Sequence, residues 1–132
     1  MKAISIHQPW ADLITNGKRP LEVRKWKTHY RGPLIIHASL TVEKEECSRL
    51  VVTPSATGAL IGVVELQSVL ILSEKDWEDL RPLHLETGPR PYGNKTFGWV
   101  LRRPRKFVKP IPFRGSLCFF TIPDSILAEA LK

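Results

Sequence analysis

The residue types best suited to chemistry gather near the N-terminus. Leu21-Glu-Val-Arg-Lys-Trp26 alternates as a strand does, which puts Glu22, Arg24 and Trp26 on one face and Leu21 and Val23 on the other. An acid, a base and an aromatic ring on one face, with Arg19 just upstream, are the parts of a nucleotide site. Arg19 and Arg24 would grip a phosphate or a base edge, while Glu22 orients them or accepts from an exocyclic amine. The same Glu22–Arg24 pair also suits a structural ion pair closing the mouth of a barrel, and spacing alone does not separate the two readings. Trp10 and Trp26 offer stacking surfaces, worth about 1–3 kcal/mol per base in single-strand binders. Trp10 opens a helix on its apolar face and reads more readily as core.

His7, His29, His37 and His84 are the side chains whose ordinary pKa lies near neutrality. His37, within Ile-Ile-His-Ala-Ser, fits a hydrogen-bonded barrel histidine or a catalyst. His29, beside Tyr30 and Arg31, suits acid–base work on RNA. Were the chain an enzyme, Glu22 with His29 or His37 would supply its acid and base, and its catalysis would need no metal. Two cysteines and no paired C-x-x-C or H-E-x-x-H spacing leave no zinc site legible, and no cofactor is implied.

Charge points to a polyanion. The chain has 132 residues, 20 Lys and Arg against 13 Asp and Glu, and a net charge of +7. Residues 1–40 carry seven bases and two acids, residues 41–89 four and nine, and residues 90–123 eight bases and no acid. If the fold brings Arg19, Arg24, Lys25, Lys27 and Arg31 near Arg90, Lys95, Arg102, Arg103, Arg105 and Lys106, one cationic face results, and Lys18 is a further nucleic-acid contact. Two separate solvated faces are the other outcome.

The elements that must position these residues are short. Lys2–Ile6 reads as a strand, Pro9–Asn16 as a helix with Gly17 after its end, and Leu21–Trp26 as a second strand. Tyr30–Pro33 is a turn, Leu34–Ala38 a buried strand, and Thr41 is the expected cap of a helix over Val42–Leu50, whose Glu43, Glu45 and Glu46 suit the positive end of its dipole. Gly58–Leu72 gives one bent strand or two, and Ser73-x-x-Asp76 has the form of a capping box. Residues 82–95, rich in Pro and Gly, read as an irregular loop of the length that usually carries function. Thr96–Arg102, Pro104–Lys109 and Ser116–Ile122 add three strands, and a terminal helix runs to Leu131. Seven or so strands with short helices between them predict an α+β fold, a mixed β-barrel with short decorating helices, forming one domain over residues 1–132.

Composition agrees with a globular state, since 42% hydrophobic and 25% charged residues are near average. The longest apolar run, Ala59–Leu72, is interrupted by Glu65 and Gln67, so no membrane helix is expected. The N-terminus MKAISIHQPW lacks a signal-peptide apolar region, and Cys47 and Cys118 fit reduced thiols; together these predict a cytoplasmic protein.

Ser5-Ile-His-Gln-Pro-Trp-Ala-Asp-Leu-Ile14, then Gly17-Lys-Arg-Pro-Leu-Glu-Val-Arg24, Trp26, Arg31-Gly32 and Ile36-His-Ala-Ser39, resembles the activating signal cointegrator homology (ASCH) family. Phe97-Gly-Trp-Val-Leu101, Pro110-Ile-Pro112 and Arg114-Gly115 extend the likeness over most of the chain. The resemblance implies a PUA-like barrel related to the RNA-binding domain of pseudouridine synthases and archaeosine transglycosylases. The family signature has the form G-x-K-x-x-E-x-R, which Gly17, Glu22 and Arg24 match while Arg19 replaces the lysine. A branch of the family that hydrolyses the acetyl amide of N4-acetylcytidine has lysine at the third position and threonine at the sixth. Arg19 cannot serve as its base, nor Glu22 as its hydroxyl nucleophile. The resemblance therefore implies an RNA- or nucleotide-binding domain with a cationic cleft, acting on single-stranded or modified RNA, with DNA as a second polyanion of like charge. A metal-independent ribonuclease or modified-nucleoside hydrolase is the alternative, and an interaction module of a transcription or translation complex the third. Oligomeric state is not legible.

Overall fold

The computed structural model describes residues 1–128 and 130. Six strands, β1 (Lys2–Gln8), β2 (Leu21–Arg24), β3 (Gly32–Val42), β4 (Ala59–Ile71), β5 (Phe97–Pro112) and β6 (Phe119–Thr121), form one mixed sheet in the order β2-β5-β4-β3-β1-β6. Among the described residues only β1 and β3 pair in parallel, with Ser5 beside His37; the other neighbours are antiparallel. The helices are α1 (Trp10–Thr15), α2 (Lys44–Leu50), α3 (Glu74–Asp79), α4 (Arg81–His84) and α5 (Asp124–Leu127).

The expected α+β fold is present, but the barrel is not closed by backbone pairing. Among the described residues no ladder joins β2 to β1 or β6, and side chains span the gap. Arg24 Nη2 donates to the Ser5 carbonyl (2.9 Å), and Trp26 meets Phe119 edge to face at 5.3 Å. Behind them Trp99 is fully buried and donates from Nε1 to the Trp26 carbonyl.

Alternation along the central strands serves two cores. Ile4, Ile6, Leu34, Ile36 and Ile61 face the concave side, which α1 fills with Trp10, Leu13 and Ile14. Ala3, Ile35 and Leu60 face the other side, against Phe107, Ile122 and Leu127. Burial on both faces explains why these strands read as near-continuous apolar runs. The seat of α1 depends on Gly62, where a Cβ would lie 2.7 Å from both the Arg105 carbonyl and Thr15 Cγ2. Asp12, buried in α1, accepts from Gln8 Nε2 (3.0 Å) and from Ser55 Oγ and backbone N (both 2.7 Å), tying β1, α1 and the 51–57 loop together.

Several boundaries differ from expectation. Thr96–Arg102 and Pro104–Lys109 are one strand, because Arg103 (φ +52°) and Pro104 form a bulge opposite Val64 instead of a break. Gly58–Leu72 holds one strand, kept continuous by three register shifts against β5. Thr41 does not cap α2, since β3 runs on to Val42, still paired with Gln8, and Glu43 precedes the helix without a side-chain cap. The Ser73–Asp76 capping box is formed. The 82–95 loop is not wholly irregular: α4 has Pro82 in its first turn, where its missing N–H costs nothing, and Gly93–Lys95 is a 3-10 turn. Ser116–Ile122 shrinks to β6, which pairs only with Lys2–Ile4, and Leu131 lies outside the described residues. Both cysteines are free, and no described helix is long and apolar enough to cross a membrane.

Candidate functional site

Gly17, with φ +84°, turns the chain out of α1 and lets Arg19 N donate back to the Leu13 carbonyl (2.9 Å). That turn aims the Arg19 side chain inward, where it is 2% exposed. Its Nε donates to the His84 carbonyl (2.7 Å), Nη1 to Glu22 Oε1 (2.5 Å) and Nη2 to Glu86 Oε2. The Trp10 ring lies 4.3 Å from the guanidinium carbon. Arg19 therefore serves as a buried clamp, with one N–H on each of its three guanidinium nitrogens committed to the protein. Glu22 Oε1 also accepts from Val23 N (3.0 Å), and Oε2 stands 3.2 Å from Arg24 Nε. The Arg24 contact is off the N–H axis, so Nε is a buried nitrogen in an ion pair but without a hydrogen bond.

These residues floor a cleft of about 400 Å³. Ser5, Ile6 and His7 of β1 form one wall, Glu43 and Glu46 at the start of α2 another, and Glu86, Thr87 and Tyr92 of the 82–95 loop the third. Glu43 Oε2 accepts from Trp10 Nε1 (3.0 Å) and from His7 Nδ1 (3.1 Å), leaving the other ring nitrogen of half-exposed His7 uncommitted. Arg49 joins Glu46 to the Leu85 carbonyl, so α2 and the loop hold one another. Four carboxylates face two guanidiniums, and the lining is mixed in charge instead of the cationic cleft expected.

Two titrations belong to the site. Burial pushes the Glu86 carboxyl up to about 7; Arg19 opposes this, while Glu22, Glu43 and Glu46 reinforce it. Burial pushes His84 down from its ordinary 6.5. Its hydrogen bonds agree with a neutral ring: Nε2 donates to the Trp77 carbonyl (2.9 Å), and Nδ1 accepts from Glu86 N (3.0 Å). His84 also stacks on Trp77 at 3.8 Å, so it shapes the loop that delivers Glu86.

Of the residues picked from sequence, Arg19, Glu22, Arg24 and Trp10 meet in the cleft. Trp26 does not line it, because β2 ends at Arg24, where pairing with Phe97 stops, and the ring turns into the aromatic seam. Lys18, Lys27, His29 and Arg31 are exposed outside the cleft; Arg31 caps the Thr28 and Tyr30 carbonyls. Arg103, paired with Glu65 (2.9 Å), and Arg105 lie on the exposed 102–106 stretch of β5. The Gly17 turn packs against Pro104, so the turn that carries Lys18 lies against the Arg103–Pro104 bulge. His37 is buried against a second cavity, apart from Glu22. Sequence reasoning did not find His7, Glu43, Glu46, Glu86 or Tyr92 as lining residues. The one usable signal is that Glu86 is the only acid in the 82–95 loop. Among the described residues no group of three or more His, Cys, Asp or Glu side chains is arranged to hold a metal ion.

A curled, open, mixed sheet plugged by a short helix, with a G-x-R-x-x-E-x-R turn flooring a polar cleft, defines a PUA-like domain. The ASCH domain family model matches residues 4–111, and the chain belongs to that family. Activating signal cointegrator 1 of Homo sapiens is 29% identical over 143 residues, covering 98% of this chain and 23% of that protein. The Mus musculus protein is 28% identical with the same coverage, so the chain spans 23% of the length of these relatives. The crystal structure of ASCH from Zymomonas mobilis superposes with a TM-score of 0.71 at 14% identity, covering 98% of this chain and 92% of that one. A tyrosine-to-phenylalanine variant of that Zymomonas mobilis protein superposes with the same TM-score of 0.71, with 95% of that chain covered; both likenesses bear on the fold.

Proposed function

We propose that the cleft receives one unpaired base of a single-stranded or modified RNA. The observation that carries this reading is the unspent hydrogen-bonding of Arg24 opposite three carboxylates. Arg24 Nη2 donates once to the Ser5 carbonyl and its Nε faces Glu22, while the N–H groups of Nη1 and the second N–H of Nη2, on a side chain 25% exposed, remain for a ligand acceptor. Across the cleft, Glu43, Glu46 and Glu86 present acceptors. Donor on one side and acceptor on the other complement a base edge that carries an exocyclic amine next to a ring nitrogen or carbonyl. Tyr92, 44% exposed, offers a stacking face. Lys18, Arg103 and Arg105, beside the signature turn, supply backbone contacts, and these weaken with salt.

The test is fluorescence anisotropy of end-labelled homopolymeric RNA decamers between about 50 and 200 mM salt. Oligo-C and oligo-A should bind more tightly than oligo-U, with affinity falling steeply with salt. Arg24→Gln should weaken oligo-C at least tenfold, or about 1.4 kcal/mol. Equal binding of all decamers, unchanged by Arg24→Gln, would remove the base from the cleft.

One feature favours a hydrolytic reading alongside. His7, positioned by Glu43, and Glu86, held near neutrality, put a base and an acid in the cleft in place of His29 or His37. In the same assay that reading predicts a rise that decays as fragments form.

A further inference from the structure

The second cavity, which shares Ser5 alone with the lining of the cleft, has a constellation that the proposed nucleotide binding does not use. His37, 2% exposed, accepts at Nδ1 from Ser5 Oγ–H (2.8 Å) and donates from Nε2 to the Phe113 carbonyl (2.7 Å). A carbonyl only accepts, so Nε2 carries a proton, and when Nδ1 carries none it is the base that receives the Ser5 hydroxyl. A hydroxyl donating to an imidazole whose other nitrogen is anchored is the geometry of an activated nucleophile. Ser5 and His37 are parallel-strand neighbours on β1 and β3, and rigid strands hold such a pair better than loops do.

The pair faces open space. A cavity of about 600 Å³ is lined by Ser5 and His37, by Leu40, Phe113 and Leu117, and by Arg114. Leu40 and Leu117 are 81% and 89% exposed and give the cavity an apolar rim. Position 115 is glycine, and a Cβ there would lie 2.4 Å from Ser5 Oγ and 2.9 Å from His37 Nδ1. Any side chain at that position would fill the space in front of the hydroxyl.

We propose that Ser5 and His37 form an esterase-type nucleophile–base pair, acting on a carboxylic ester whose acyl chain lies against Leu40, Phe113 and Leu117. Ser5 Oγ attacks the ester carbonyl carbon and its proton passes to His37 Nδ1. The carbon–oxygen bond to the alcohol breaks, and the alcohol leaves with that proton. Water then attacks the acyl-serine, again giving a proton to Nδ1, and the acid departs as Ser5 Oγ–H is restored. A carbonyl in place of a carboxylate behind the histidine orients the ring without offsetting its positive charge, so turnover is slow and acylation is the step to observe.

The experiment is labelling by a fluorophosphonate–fluorophore, in which Ser5 Oγ would displace fluoride from phosphorus and His37 would take the proton. Intact mass and peptide mapping read the result. One label per chain is expected on the peptide containing Ser5, slowed by prior addition of p-nitrophenyl butyrate. His37→Gln and Gly115→Ala should each slow labelling at least tenfold, and Ser5→Ala should abolish it with the thermal transition retained. Should Ser5→Ala not fold, Ser5→Cys keeps a donor toward His37; it should lose phosphonylation and gain alkylation by iodoacetamide at position 5. No label on the natural chain, or equal labelling in these variants, overturns the proposal and leaves the pair as a pin for the 113–115 segment.

Discussion

Glu86→Gln tests how the cleft is built. The Glu86 carboxyl stands at about 7 against 4.5 for the free side chain, since burial outweighs the Arg19 pair. Between those values the folded chain keeps a proton that the unfolded chain has released, so acid favours folding through this group. The contribution is fully present below about pH 4.5 and is lost as pH rises through about 7. The interval, at 1.36 kcal/mol per pH unit, amounts to about 3 kcal/mol. At 26% exposure the side chain is shielded enough for that order of magnitude to hold. His84 works in the opposite sense: burial holds its pKa below 6.5, so its contribution is lost as pH falls. Comparing the natural chain with Glu86→Gln cancels the histidine. Urea unfolding at intervals from about pH 5 to about pH 8 should show the natural chain losing up to about 3 kcal/mol relative to the variant as pH rises. Parallel curves, or a variant that declines more steeply with rising pH, would refute the account of a carboxyl kept protonated by burial.

Two further substitutions probe the frame. Arg19→Met removes the shared partner of buried Glu22 and half-buried Glu86 and should cost about 3–5 kcal/mol by urea unfolding at neutral pH, because a buried carboxylate loses its cation. Glu86→Gln in that background should recover part of the loss. Gly62→Ala forces a methyl against the Arg105 carbonyl and Thr15 Cγ2 and should cost about 1–3 kcal/mol, read as a lowered melting temperature.

The floor of the cleft is legible in the sequence because alternation over Leu21–Arg24 is a local rule, and the strand obeys it. The rule fails two residues later, at Trp26, where the pairing partner ends and nothing local records it. The use of Arg19 is not legible either. Its partners at positions 84 and 86 arrive through a loop whose landing place depends on His84 stacking against Trp77. Glu43 reads as a helix-dipole acid, yet it serves as the acceptor for Trp10 and His7, an encounter set by the parallel pairing of β1 and β3. The fold class is more robust: strand count and sheet order tolerate boundary errors of a few residues, and the Arg103–Pro104 bulge changes the number of strands without changing the architecture.

The seam between β2 and β1 has a mechanical consequence. A closed ladder would have to be unzipped bond by bond to widen the mouth of the cleft. Among the described residues the rim is fastened by an arginine-to-carbonyl bond, Arg24 to Ser5, worth about 1.5–3 kcal/mol, and by aromatic edge contacts. On the proposed reading, a bulky nucleotide would need only a latch to be lifted, and the latch is the guanidinium that would then greet it.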